Sequence, residues 1–80
     1  MKIKEVIGID VSKLTLDSHI HNIGIQKAFD NALEGFGAMV SWVLENSQIG
    51  KENLLFILEH TGLYSHQLID YLVKHGYFYM

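Results

Sequence analysis

Ile3-Lys4-Glu5-Val6-Ile7-Gly8-Ile9-Asp10 and Leu54-Leu55-Phe56-Ile57-Leu58-Glu59 decide the fold. Each is a short apolar run that ends on a carboxylate. Residues 3–9 are rich in β-branched side chains and read as a strand, apolar on both faces by its end. Residues 54–58 form a continuous apolar run, the pattern of a strand covered on both faces. Between and beyond these two runs the chain reads as alternating elements joined by short connections.

After Asp10, Val11-Ser12-Lys13 makes a tight connection into a second strand over residues 14–21, where Leu14 and Leu16 alternate with Thr15 and Asp17. Asn22 marks a turn, and Ile23, Ile25, Lys27 and Phe29 alternate in a third strand. Three short strands with tight turns make an antiparallel meander. Asn31 then stands as a helix N-cap, with Glu34 at the capping-box position. The helix runs to about Asn46 with an apolar stripe of Leu33, Phe36, Val40, Val43 and Leu44. Gly35 and Gly37 each weaken it by roughly 1 kcal/mol relative to alanine, and Gly37 is the position expected to allow close approach to the sheet.

Gly50 and Asn53 bound the loop before the second apolar run. A second helix follows from about Thr61, with Tyr64, Leu68, Tyr71 and Leu72 on one face, His75 in its last turn and Gly76 at the left-handed stop position. Residues 77–80 begin a fifth strand. The order β-β-β-α-β-α-β, with right-handed crossovers, predicts one α/β domain over residues 1–80 with a mixed sheet of strand order 3-2-1-4-5.

The totals bound the function. Eighty residues, 49% hydrophobic and 19% charged, describe a small globular domain rather than a disordered segment. There is no cysteine, which excludes disulfides, thiol chemistry and zinc knuckles and suits the cytoplasm. No apolar run approaches the roughly 18 residues of a membrane span, and the first residues lack the features of a signal peptide. The net charge of −3, with only six Lys plus Arg, argues against this segment being the main surface that grips nucleic acid. It is compatible with an acidic nuclease centre.

If the first and fourth strands are parallel neighbours, Asp10 and Glu59 emerge together at their carboxyl ends, about 4.8 Å apart strand to strand. Two such groups repel unless a cation neutralises them or one takes up a proton. Hard oxygen ligands suit Mg²⁺ or Mn²⁺. From spacing alone two readings stand side by side: a metal centre, or an acid that only caps a helix or faces solvent. Asp17 reads as a solvated strand residue.

Ile7-Gly8-Ile9-Asp10-Val11-Ser12-Lys13, followed by Leu16-Asp17, resembles the opening of the DEDD-type insertion-sequence transposases, relatives of the Piv and MooV DNA invertases. Leu58-Glu59-His60-Thr61-Gly62-Leu63-Tyr64, then Leu68, Leu72 and Gly76, is similar to that family's second acidic motif, and Phe29 to Phe36 to its strand-to-helix entry. The resemblance implies a ribonuclease-H-like (RuvC-like) amino-terminal catalytic domain, truncated after the fifth strand. It implies that Asp10 and Glu59 are the first Asp and the Glu of the tetrad, ligands of Mg²⁺ or Mn²⁺ and catalytic through the metal. It also implies DNA transposition or recombination, with DNA as partner and, in some members, a guide RNA. Family members place two further aspartates close together downstream and carry a carboxy-terminal domain with a nucleophilic serine; no aspartate follows Asp70 here, and further metal ligands are expected beyond residue 80. The 80 residues alone are therefore expected to bind metal weakly and to be inactive.

Other features have blander readings beside sharper ones. Lys13 is a turn lysine or a phosphate contact, and Thr61-Gly62 a cap and tight turn. Tyr64 packs in the core or stacks on a base. His19 and His21 share one face of the second strand and lack a third ligand for zinc or nickel. His60 and His66 carry no assignment beyond His60 lying beside Glu59, while Trp42 and the tyrosines read as core and interface. The apolar Tyr77-Phe78-Tyr79-Met80 predicts self-association through an edge strand. Two alternatives to the transposase reading remain. One is the opening of a sugar-kinase or actin-like phosphotransferase, which Ile7-Gly8-Ile9-Asp10 also fits but whose Gly-rich phosphate turn is absent after Asp10. The other is a non-catalytic transposase remnant.

Overall fold

The computed structural model describes residues 2–59 and 63–80. Its elements are β1 (Glu5–Val11), β2 (Thr15–Ile20), β3 (Ile25–Asp30), α1 (Leu33–Ser47), a single 3₁₀ turn (Lys51–Asn53), β4 (Leu54–Glu59), α2 (His66–Lys74) and β5 (Phe78–Tyr79). The strands form one five-stranded mixed sheet in the order β3-β2-β1-β4-β5. β1 pairs antiparallel with β2 and parallel with β4, β2 pairs antiparallel with β3, and β4 pairs parallel with β5. The α/β class, element order and strand order expected from the sequence are all present.

Period-two alternation decides which side chains enter the core. Ile7, Ile9 and Val11 of β1, Leu16 and Ile20 of β2, and Leu54, Phe56 and Leu58 of β4 are buried together with Phe36, Met39, Val40 and Val43 of α1 and Leu68 and Leu72 of α2 in one cluster. Both helices thus cover the same face of the sheet. Among the described residues no helix lies on the opposite face, and Val6, Gly8, Leu55 and Ile57 are only half-buried there. β4 is therefore covered on one face, not two. Its unbroken apolar run reflects a central position in the sheet rather than a second layer.

Several boundaries move from their expected places. Ile23 lies in the β2–β3 turn, 46% exposed, because that turn spans His21 to Gly24. The cap of α1 is Ala32, in extended conformation and with no side-chain cap bond, so Asn31 is not an N-cap and makes no capping box with Glu34. Leu33 leaves the stripe at 71% exposed, and Met39 takes a fully buried place in it. The glycine that permits close approach is Gly35, not Gly37: a Cβ at Gly35 would overlap the Asp30 carbonyl oxygen, whereas one at Gly37 would meet only the Tyr71 hydroxyl at 3.7 Å. α2 begins at His66, which leaves Tyr64 outside it and 46% exposed rather than packed in the core. Gly76, at φ 78°, holds the left-handed position expected after α2. The expectations for His60, Thr61 and Gly62 lie outside the described residues.

Glu5 is the one strongly buried carboxylate among the described residues, at 2% exposed. Its Oε1 accepts from the backbone N–H of Val6 at 2.9 Å and of Asn22 at 3.0 Å, which ties the β2–β3 turn to the start of β1.

Candidate metal centre

Glu59 ends β4 and Asp10 stands one residue before the end of β1, and the parallel register sets them side by side. The apolar partners before them, Ile9 with Leu58 and Ile7 with Phe56, face the helices. Alternation then turns Asp10 and Glu59 to the helix-free face, where both are exposed. The sequence expectation of two carboxylates emerging together at the carboxyl ends of neighbouring parallel strands matches this register.

Asp17 belongs to the same row. The β1–β2 hairpin turns through Lys13 and Leu14, with the Ser12 N–H donating to the Thr15 carbonyl at 2.9 Å. Ser12 Oγ closes the same turn, 2.7 Å from Thr15 Oγ1 and accepting from the Thr15 N–H at 3.2 Å. That turn sets Asp17 opposite Asp10 on the open face. Three carboxylates from three adjacent strands therefore stand in register, Asp17–Asp10–Glu59. Asp17 is an exposed strand residue, as expected, and the length of the turn sets it in the row. Gln26 Nε2 donates to Asp17 Oδ1 at 2.9 Å and fixes one flank of the row.

Glu59 leans back along its strand. A Cβ added at Gly8 would lie 3.0 Å from Glu59 Oε1 and 3.9 Å from His19 Nε2. The missing side chain of Gly8 forms the floor of a recess lined by Val6, Gly8, His19, His21, Ile57 and Glu59. His21 lies in the turn just past β2, yet it shares this recess with His19. Among the described residues no three acidic or histidine side chains converge into a ready-made metal cage. The donors are aligned along a row rather than gathered on one point.

Asn31, expected to cap α1, has another task. Its Nδ2 donates to the Ser12 carbonyl at 2.8 Å and to the Tyr64 carbonyl at 2.9 Å. One amide thus joins the turn that follows Asp10 to the segment ahead of α2. Its Oδ1 is enclosed and accepts no hydrogen bond.

Six aromatic residues pack in pairs: Phe29 lies 5.5 Å from Trp42, Phe36 5.6 Å from Tyr71, and Phe56 5.6 Å from Tyr77, edge-on, whereas Tyr64, Phe78 and Tyr79 are exposed. Among the described residues no helix is long and apolar enough to cross a membrane. No protein-family profile matches the chain, and no curated protein matches it.

Proposed function

We propose that the chain is the first part of a ribonuclease-H-like catalytic domain of the DEDD transposase type, in which Asp10 and Glu59 are ligands of Mg²⁺ or Mn²⁺ in DNA strand transfer. The observation that carries this reading is the register of Asp10 with Glu59 at the carboxyl ends of parallel neighbours β1 and β4. The strand order and the resemblance of the two acidic motifs support it. Asp17 extends the donor set, since it stands opposite Asp10 on the same face.

The donor chemistry fits the ion. Three carboxylates and no thiolate favour a hard divalent cation. Such an ion supplies charge neutralisation and a polarised oxygen for phosphoryl transfer. The protein's share is to hold Asp10 and Glu59 on rigid strand ends, so that their separation is set by the sheet and not by a loop. The row of three leaves a two-metal set incomplete, in keeping with further ligands from a longer chain.

The test is to read the source frame past codon 80 and assay the longer product on supercoiled plasmid with Mn²⁺. Two closely spaced downstream aspartates are expected, with nicking or strand transfer that Asp10→Asn or Glu59→Gln abolishes. Activity untouched by either substitution, or robust cleavage by the purified 80-residue chain, would overturn the reading.

A further inference from the structure

We infer that a polar recess at the carboxyl edge of the sheet, formed by segments that follow β1 and β4, is a binding subsite for a phosphate group of the nucleic-acid backbone. The recess, about 230 Å³, is lined by Lys13, Asn31, Leu63, Tyr64, His66 and Gln67. It draws on three parts of the chain: the β1–β2 turn, the entry to α1, and the start of α2. Among the described residues no carboxylate lines it, although the overall charge is −3. What it offers is the Lys13 ammonium, the His66 imidazole and the Gln67 amide. This is a set of donors around a space, which suits a tetrahedral anion.

The recess is also braced. The Asn31 amide that bridges the Ser12 and Tyr64 carbonyls holds its two lips together. Lys13 sits at the tip of a hairpin closed by Ser12 and Thr15, so its backbone position is defined even though its side chain is exposed. Asp10 lies near the end of β1 and Lys13 in the turn that follows it, so both belong to the carboxyl edge of the sheet.

This subsite rests on the nucleic-acid reading for its ligand, yet it is testable apart from it. Metal-free ¹⁵N-labelled chain would be titrated with inorganic phosphate and then with hexathymidylate, following backbone amide shifts. Saturable shifts at Lys13, His66 and Gln67 are expected for both probes. Lys13→Gln should weaken binding about fivefold, the size of one exposed ion pair, while Lys74→Gln, at the far end of α2, leaves it unchanged. Thermal melting of each variant shows that the fold is kept. Shifts that map elsewhere, or binding indifferent to Lys13→Gln, would overturn the subsite. Phosphate binding here combined with no divalent-ion binding at Asp10 and Glu59 would leave the subsite standing and remove the proposed function.

Discussion

Asp17, Asp10 and Glu59 carry like charges on three neighbouring strands, and directly opposed like charges destabilise a sheet. In metal-free buffer at low salt, Asp10→Asn is expected to raise the melting temperature, with a gain of about 0.5–1 kcal/mol in unfolding free energy by chemical denaturation. An unchanged or lowered stability would mean that the carboxylates are not in repulsive contact. Tyr77 supplies a titration of opposite character. Burial, and then the nearby Tyr71, hold its hydroxyl above the ordinary tyrosine value of 10.0. The folded state therefore keeps this proton longer than the unfolded chain does. The stability involved is fully present below pH 10 and is lost as pH rises past it. Tyr77→Phe should flatten that alkaline decline in a pH series of melting temperatures.

At the scale of elements, the strands were legible and the helix starts were not. Period-two alternation and the two apolar runs located the sheet, because burial on one face imposes that pattern directly. Asn31 looked like a cap because its side chain is the right type beside a helix, but two backbone carbonyls from distant segments claim its amide instead. A contact between residues far apart in sequence leaves no local trace. Asp17 is the solvated strand residue expected, and its place opposite Asp10 follows from turn length: the Lys13–Leu14 turn converts directly into the Asp10–Asp17 pairing. The two glycines of α1 separate local propensity from packing. Gly35→Ala should destabilise by about 2–3 kcal/mol, since the new methyl meets the Asp30 backbone, which has little freedom to yield. Gly37→Ala should stabilise by about 0.5–1 kcal/mol, because the added Cβ makes only ordinary contact. Denaturant unfolding of the two variants checks both signs.

The whole molecule places both helices on one face of the sheet and its acidic row on the other. Its second long-range feature is the outer edge of β5, where Phe78 and Tyr79 are 40% and 41% exposed and Met80 is 74% exposed. Unpaired backbone beside apolar side chains is a template for another strand. We propose that the chain associates with itself there. Sedimentation should show a concentration-dependent dimer that Tyr79→Lys suppresses; a monomer mass constant across concentration would contradict this. The α/β architecture and the pairing of Asp10 with Glu59 could be read from the order of elements, since crossover handedness constrains topology strongly. The recess around Lys13 and the lean of Glu59 over Gly8 could not, because both depend on how side chains from separate elements settle against one another.

The most direct test of the central claim is a Mn²⁺ titration of the ¹⁵N-labelled chain, read as paramagnetic broadening of backbone amides. Weak but saturable broadening is expected that begins at Asp10, Val11, Asp17 and Glu59, and that Asp10→Asn combined with Glu59→Gln removes. Broadening that survives the double substitution, or that never localises at the ends of β1 and β4, would contradict it.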